Sequence, residues 1–399
     1  MNREVLKGIK GITLIALVTT VMVLILLAGI TISLVVREDS VIQKAKDAKQ
    51  NMQYAQEESE EQLQYLQNDI AQSIENANMP PQVPEVETFS TIKEERETIT
   101  TGGKTAIIPK GFAVGTSKGI NNIQEGLVIT DKVDQWGNSI GNEFVWIPVD
   151  QTQFARTNWS NNAPTGKIPG NYTEPSDVIT TADQTGERAE YVAMTESVLA
   201  NGGFYIARYE AGCKKERTQS NKETQQEVMI RKDKFVYNYV PWGANMASIE
   251  NVSNVTGAVK LARGMYPKED ENSDVISHLI YGIQWDSVLR FVSDSTYNVT
   301  NSIGWGNYKD ATESAGEDAG ILQTTGKNEA WKAKNIYDLA GNAQEWSMED
   351  ADGFLRMLRG GAWDGSGTGN PASYRYGDFP DTCGSNYSFR PVLYLTILE

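Results

Sequence analysis

No residue between Ile12 and Val36 is charged, and this run of 25 residues constrains the fold more than any other feature of the chain. As a helix it is long enough to cross a hydrocarbon core of about 30 Å. Arg3, Lys7 and Lys10 precede it, so the positive-inside preference keeps the N-terminus cytoplasmic and exports the chain after Arg37. We therefore expect a transmembrane helix over 12–36.

A small residue precedes the apolar run, whereas a secretory signal peptide carries its small-residue cleavage site after the run. The sequence "KGITLIALV" resembles the type IV prepilin signal, in which cleavage follows a glycine. The resemblance implies a leader over 1–11, with Gly11 as its last residue and Ile12 as the mature N-terminus. Prepilins usually carry glutamate at the fifth mature position, where this chain has Ala16. The difference suits a minor or tip subunit, or an anchored pseudopilin. An ordinary single-span anchor is the alternative.

Residues 37–78 have apolar side chains at spacings of three and four, which predicts an amphipathic helix. The stripe consists of Val41, Ala45, Ala48, Met52, Ala55, Leu63, Leu66, Ile70 and Ile74, with Ser59 in its one gap. It could form a coiled-coil seam, pack against neighbouring pilin subunits, or serve as a stalk. In each case it is a spacer between the membrane and the rest of the chain.

Periodicity is lost after residue 78, where "NMPPQVPE" introduces three prolines and "TTGGK" later adds two glycines. Such composition is typical of a linker. We expect the linker to extend over 79–105 and a globular domain over 106–399.

Charge and histidine content exclude several function classes. Asp and Glu number 52 against 36 Lys and Arg, for a formal net charge of -16. A nucleic-acid partner is not expected, because such proteins need cationic patches. The one histidine, His278, excludes metal sites built on two histidines. His278 lies in the helix-like run "ISHLIYGIQWDSVLRFV", where a structural or surface role is expected.

The domain alternates short apolar runs with Gly, Asn, Ser and Asp segments. Aromatic and β-branched residues at 142–149 and 203–212 predict buried strands. A period of 3.6 at 277–294 predicts a helix, and "KNIYDLAGNAQEW" predicts a strand followed by a sharp turn at Gly341-Asn342. The fold class expected is α+β: a long N-terminal transmembrane and stalk helix, then a domain with a small antiparallel sheet, few helices and many loops.

Six motifs follow one another in this domain: "FVWIPV", "GFYIARYE", "GIQWDSVLRFV", "NIYDLAGNAQEW", "LRGGAW" and "SFRPVLY". Their sequences and order resemble those of formylglycine-generating enzyme-like (sulfatase-modifying factor) domains. The resemblance covers nearly all of 106–399 and implies a C-type-lectin-like fold. The active enzymes carry a cysteine pair at positions that fall here around Gly365 and Asn370. Without those thiolates their redox and copper chemistry is lost, so we expect no enzyme. An enzyme working without the cysteine pair is the alternative.

The resemblance also implies a structural calcium at the "GNAQEW" turn, with Asn342 and Glu345 as oxygen ligands. The alternative is a tight turn in which Glu345 pairs with an arginine. No other cofactor is required. Cys213 and Cys383 are too far apart for a zinc or redox motif. An exported domain with an even count permits one disulfide between them, and two unpaired thiols remain the alternative.

The segment "LRGGAWDGSGTGNPASYRYGDFPDTCGSNYSFRPVLYL" spans 358–395. Its apolar ends predict two paired core strands, with Arg359 and Arg390 in buried, charge-assisted hydrogen bonds. Its middle has the composition of antibody paratopes: tyrosine for contact area, and serine, glycine and asparagine for adaptable hydrogen bonding. We take as candidate ligand-binding residues Trp363, Asp364, Ser366, Thr368, Asn370, Ser373, Tyr374, Tyr376, Asp378, Phe379, Asp381, Ser385 and Asn386.

Asparagine codons begin with two adenines, and replacing them yields mainly Asp, Ser, Gly, Thr, Tyr, Ala and His. The run "DGSGTGN" is what randomised asparagines would leave. It resembles the variable region of diversity-generating retroelement target proteins, which place a variable segment in a C-type-lectin-like fold just before the C-terminus. The corresponding segment here is 364–387. A solvated Gly/Asn/Ser loop is the alternative.

These observations together predict a cell-surface adhesin or receptor-type protein of a bacterium. A pilin-like helix anchors it in the membrane or joins it to pilin subunits, and its partner is a surface protein or a glycan. The alternative is a structural minor pilin whose domain only coats a filament.

Overall fold

A computed structural model describes residues 22–25, 86–166, 172–174, 186–245, 248–270 and 272–397. The chain divides into two units, Met1–Pro84 and Glu85–Glu399. In the first unit only Met22–Ile25 is described, and it is helical. No helix within the described ranges is both long and apolar enough to cross a membrane. The predicted leader with Gly11 and Ile12, the stalk at 37–78, and all but those four residues of the span at 12–36 lie outside the described residues.

The second unit is mostly β-structure. Its strands, numbered in chain order within the described ranges, are β1 Glu97–Thr101, β2 Lys104–Ile108, β3 Ala113–Val114, β4 Val128–Thr130, β5 Glu143–Pro148, β6 Trp159–Ser160, β7 Ala163–Pro164, β8 Tyr172–Thr173, β9 Gly203–Ala207, β10 Gly212–Cys213, β11 Phe235–Val236, β12 Val275–Leu279, β13 Lys332–Ala333, β14 Ile336–Tyr337, β15 Gln344–Ala351, β16 Leu355–Arg359, β17 Arg375–Asp378, β18 Tyr387–Phe389 and β19 Pro391–Leu395. The two predicted strands at 142–149 and 203–212 are confirmed as β5 and β9.

The larger sheet has six antiparallel strands in the order β12-β19-β9-β5-β4-β3. Its central strands are short apolar runs whose residues are almost all buried; in β5, Phe144, Val145, Trp146 and Ile147 have no exposed surface. Continuous burial requires cover on both faces, which explains why these strands lack alternation between polar and apolar residues.

The second sheet carries the C-terminal segment and has the order β17-β16-β15-β18, with β8 also pairing β15. The pair β15–β18 is parallel, and the other pairs are antiparallel. Arg359 of β16 lies opposite Arg375 of β17, and Arg356 lies opposite Asp378. Four two-stranded ladders, β1–β2, β6–β7, β10–β11 and β13–β14, complete the pairing of the named strands.

Three α-helices accompany the sheets in the described ranges: α1 Glu187–Asn201, α2 Ala258–Arg263 and α3 Gly282–Val292. The predicted helix at 277–294 is therefore correct only from Gly282 onward. His278 lies in strand β12, fully buried, with its Nδ1 2.9 Å from the Leu279 carbonyl oxygen. The Tyr281 backbone is extended, and its N–H donates to the Gln284 side chain at 3.2 Å, which sets the start of the helix.

The predicted linker at 79–105 extends too far into the compact unit. Gly102 and Gly103 have φ of 55° and 75° and form the turn of the β1–β2 hairpin, where Thr101 pairs with Lys104. Upstream, Phe89 is buried in the core, and the Glu87 carboxylate lies 2.6 Å from Arg208. A glycine pair is as typical of a hairpin turn as of a linker, so composition alone placed the start of the globular domain too late in the chain.

The second unit is thus sheet-rich, with few helices and long loops, as the α+β prediction stated. This architecture is compatible with a C-type-lectin-like domain. Its core includes fully buried Trp146, Trp242, Trp285, Trp331 and Trp346. Aromatic side chains of this size bury 150–250 Å² each and dominate the energetics of a core.

Candidate ligand-binding face

The C-terminal segment does not form the pair of strands that its apolar ends predict. The "LRGG" strand is β16 in the second sheet, whereas the "RPVLYL" strand is β19 in the six-stranded sheet. Gly360 and Gly361, with φ of 87° and 72°, turn the chain out of β16. At Gly361 an added Cβ would lie 2.1 Å from the Asn370 carbonyl oxygen, so only glycine fits there. A surface loop follows, and β17 then returns beside β16.

All thirteen predicted ligand-binding residues reach the surface. Asp364, Thr368, Tyr376, Phe379 and Asp381 are exposed, and the other eight are partly exposed. Five residues of 364–387 are buried, and none of them belongs to the thirteen: Gly367, Pro371, Ala372, Pro380 and Tyr387. We call the surface formed by the thirteen residues the candidate face.

The backbone of the loop between β16 and β17 is held by groups that lie outside 364–387. Some bind its amide N–H groups and others its carbonyl oxygens. The contacts are Trp363 N–H to Asn342 O at 3.0 Å, Lys309 N–H to Gly365 O at 3.2 Å, Ser302 N–H to Gly367 O at 2.8 Å, Gly367 N–H to Asp310 Oδ1 at 2.8 Å, Ala372 N–H to Ser302 Oγ at 3.1 Å, Trp285 Nε1–H to Ala372 O at 3.0 Å, and Ser373 N–H to Val299 O at 3.0 Å. The conformation of the loop is therefore set mainly through main-chain atoms, which all residue types except proline supply in full. Gly367 is an exception, because an added Cβ would lie 2.7 Å from the Ile303 backbone nitrogen.

Side chains of the segment take part in few of these attachments. Ser366 donates its hydroxyl to Asp310 at 2.6 Å, and together with the Gly367 N–H this occupies both carboxylate oxygens. Hydrogen bonds from Ser366 and Gly367 lower the pKa of Asp310, against the partial burial that raises it. Asp310 is thus an anionic anchor at the loop tip.

Beneath the loop, Arg359 and Arg375 share two carboxylates in a buried charge cluster, and Arg156 lies 3.6 Å from one of these, Glu349. Arg359 contacts Asp286 and Glu349 at 3.2 Å each, and Arg375 contacts them at 2.7 and 2.8 Å. Arg359 also donates from Nε to the Tyr374 carbonyl oxygen at 2.9 Å. The prediction for Arg359 is confirmed. Arg375 was not predicted, because nothing in "ASYRYGD" distinguishes it from the exposed residues on either side.

Burial and mutual repulsion lower the pKa of Arg359, since the Arg375 guanidinium lies beside it, and the two carboxylates counteract this. Removing either partner from such a cluster leaves a buried charge without compensation. The cluster therefore fixes the first residue of β17 against α3 and β15.

The two ends of the segment meet at the surface. Asn386 donates from Nδ2 to the Asp364 carboxylate at 3.2 Å. Asp378 accepts hydrogen bonds from the Tyr387 hydroxyl at 2.5 Å and the Thr382 hydroxyl at 3.2 Å. The loop before β17 and the turn after it are consequently neighbours, which makes the candidate face continuous.

A residue from outside the segment borders this face. Lys222, in the stretch between β10 and β11, lies with its Nζ 3.6 Å from the Cys383 sulfur. The Asn238 side chain donates to the Ser385 carbonyl oxygen at 2.8 Å, and the Tyr239 N–H donates to the Gly384 carbonyl oxygen at 2.9 Å. No sequence signal near Lys222 indicated this position, because the contact joins residues 161 apart.

Both cysteines are free, so the alternative of two thiols describes this structure. Cys213 is buried and donates weakly to the Lys215 carbonyl oxygen at 3.2 Å, and burial raises the pKa of its thiol to about 11. Cys383 is partly exposed beside Lys222.

The residues proposed for calcium have other partners. Both oxygens of Glu345 bind Arg390, at 2.6–3.0 Å, as in the alternative given for this turn. Arg390 also donates to the Ala207 and Tyr337 carbonyl oxygens, which confirms its predicted buried hydrogen bonds. The Asn342 side chain contacts Glu210 and accepts from Asn307 at 2.8 Å. Asn342 has φ of 58°, consistent with the predicted sharp turn. Among the residues that the structure describes, no group of three or more metal-ligating side chains occurs, and the calcium site stays a prediction.

No protein-family model matches the chain, and neither does any curated protein. Among solved structures, Treponema denticola variable protein 1 is similar over 76% of this chain and 99% of its own length, with 14% sequence identity and a TM-score of 0.25. The crystal structure of CarF is similar over 48% of this chain and 86% of its own, with 12% identity and a TM-score of 0.26.

Proposed function

We propose that this chain is a ligand-binding protein whose C-terminal face can change in sequence while its backbone stays in place. One observation carries the proposal: the loop before β17 is held by main-chain hydrogen bonds to fixed residues such as Asn342, Ser302 and Asp310. A loop attached in this way keeps its shape when the side chains of the candidate face change, provided that Gly361 and Gly367 stay glycine. The thirteen side chains of the candidate face are all accessible to a ligand.

The chemistry of the face suits recognition better than catalysis. Exposed Tyr376 and Phe379 offer apolar contact area, and Asp364, Thr368 and Asp381 offer hydrogen-bonding groups around them. Aromatic anchors within a polar rim are the usual composition of binding hot spots. A surface protein or a glycan is the partner we propose, and the lectin-like architecture alone does not choose between them.

Our proposal includes surface display. The uncharged run at 12–36 and the "KGITLIALV" sequence support a pilin-like membrane anchor, with the second unit outside the cell. The six ordered motifs of 106–399 support a C-type-lectin-like domain related to the formylglycine-generating enzyme-like group. A catalytic role is not proposed, because Gly365 and Asn370 stand near the positions of that group's cysteine pair.

Sequencing the region that encodes 355–392 in many sibling cells tests the diversification. Substitutions confined to adenines within 364–387, with a near-copy of the segment beside a reverse transcriptase, would support it. The codons of Arg359 and Arg375 are expected to stay constant, because their side chains belong to the buried cluster. An invariant segment with no template copy would reduce the proposal to an adhesin of fixed specificity.

Binding itself is tested on the full chain. A variant with Tyr376→Ser and Phe379→Ser should lose attachment to the surface that the wild type recognises, while its unfolding midpoint stays unchanged. Trp136→Ser is the matched control, since Trp136 is 73% exposed and lies outside the segment. If the double variant still attaches and the segment is invariant among sibling cells, a structural pilin that only coats the filament is the better description.

A further inference from the structure

A second concave site lies apart from the candidate face. A cavity of about 360 Å³ is lined by residues of β2, the end of β5, the last turns of α3 and the turn after β13. Four charged side chains line it: Lys104, Arg290 and Lys334 are cations, and Asp150 is an anion. This local excess of positive charge runs against the formal net charge of -16 for the whole chain.

Arg290 is the least compensated of the three cations. Its Nη2 donates to the Ala155 carbonyl oxygen at 2.6 Å, while its Nη1 is buried without a hydrogen-bond partner among the described residues. Burial lowers the pKa of Arg290, and the nearby Asp286 offsets this only in part. A partly desolvated guanidinium of this kind gains most from an anion placed beside it.

Lys334 is held in position at the wall of the cavity. Its Nζ donates to the Phe291 carbonyl oxygen at 2.7 Å at the C-terminus of α3, lies 4.9 Å from the Phe291 ring centre, and is 4.0 Å from Asp294. These contacts fix its charge with little remaining freedom. An oxyanion in the cavity would meet this charge without an entropic cost for ordering the side chain.

The remaining two charges do not cancel one another fully. Lys104, in β2, is exposed, and its charge attracts the Asp150 carboxylate. Asp150 already accepts from the Thr152 hydroxyl at 2.7 Å and the Thr152 N–H at 2.9 Å, and these bonds lower the pKa of its carboxyl. One carboxylate oxygen of Asp150, Oδ1, is therefore already engaged with Thr152, and the lining holds three cations against this one anion.

We propose that this cavity binds the oxyanion group of a small molecule, a carboxylate, phosphate or sulfate. Arg290 and Lys104 are its direct partners, and Lys334 is a fixed positive neighbour. A volume of about 360 Å³ falls within the range of small-molecule sites. The site is independent of the candidate face, so it would hold even if 364–387 bound nothing.

Isothermal titration calorimetry on the full chain tests this, with inorganic phosphate, sulfate and glucuronate as separate probes and chloride keeping the ionic strength constant. We expect saturable binding of at least one probe, and the preferred probe identifies the source of the oxyanion. Arg290→Gln should weaken that binding roughly tenfold, the loss of one charged hydrogen bond. Lys104→Gln should weaken it as well, and because Lys104 is exposed this variant tests the site even if Arg290→Gln unfolds.

Lys327→Gln is the control, because Lys327 is an exposed lysine that does not line this cavity. It should bind the preferred probe as the wild type does. The inference is overturned if none of the three probes gives saturable heat, or if Lys104→Gln and Lys327→Gln bind alike.

Discussion

At the scale of single residues, adjacent positions within 364–387 differ in burial and therefore in role. Arg375 and Tyr376 are adjacent, yet Arg375 belongs to the buried charge cluster and Tyr376 is 40% exposed. Arg375→Gln should lower the free energy of unfolding by about 3 kcal/mol, because Asp286 and Glu349 lose a buried partner. Tyr376→Ser should change it by less than about 0.5 kcal/mol. Urea unfolding of both variants checks the difference, and equal effects would contradict the buried role of Arg375.

His278 makes stability depend on pH through its burial. Desolvation lowers its pKa from 6.5 to about 4, with Glu190 opposing and Arg263 adding to the effect. In the unfolded chain His278 protonates near pH 6.5, so the folded state loses stability as pH falls from 6.5 toward 4. The loss from this group approaches roughly 3 kcal/mol at the acid end.

Replacing the imidazole removes this dependence. His278→Phe keeps an aromatic ring between Tyr281 and Tyr394, whose ring centres each lie 5.3 Å away. Other groups titrate in the same range, among them Asp338, so the quantity to measure is the difference between the two proteins. The unfolding free energy of the wild type should fall relative to that of the variant between pH 6.5 and 4. Parallel curves would show that His278 does not titrate on unfolding.

At the scale of elements, Asp310 is expected to hold the loop tip. Asp310→Ala removes two acceptors, for the Ser366 hydroxyl and the Gly367 N–H. We expect faster amide hydrogen exchange at Gly367 and Gly369 and a loss of about 1–2 kcal/mol in unfolding free energy. Asp364→Ala is the matched control, because its carboxylate is exposed and binds only the Asn386 side chain within the described structure. Unchanged exchange in Asp310→Ala would mean that the tip is held by other contacts.

Local composition was enough to predict strands β5 and β9, the helix after Gly282 and the turn at Gly341-Asn342. Each depends on side chains within one stretch. It was not enough to predict that β16 and β19 lie in different sheets, since apolar content identifies a strand but not its partner. The contacts that hold the loop could not be predicted for the same reason, because they join residues far apart in the chain: Asp310 and Gly367 are 57 residues apart. The residues of the candidate face could thus be proposed from the sequence, whereas the contacts that support its backbone could not.

At the scale of the whole molecule, the expected display depends on the uncharged run at 12–36. Arginine near the centre of a spanning helix costs about 2.5–3.5 kcal/mol per residue on the insertion scale. Leu24→Arg with Leu26→Arg should therefore move the chain from the membrane fraction to the soluble fraction, whereas Leu24→Phe with Leu26→Phe should leave it in the membrane. Protease added to intact cells should release the second unit from the wild type and from the phenylalanine variant.

The N-terminal sequence of the mature chain decides between the two kinds of anchor: a start at Ile12 requires pilin-type processing after Gly11, and a start at Met1 indicates a plain span. A chain that stays soluble without any substitution would remove surface display from the proposal, while ligand binding by the candidate face would remain open to its own test.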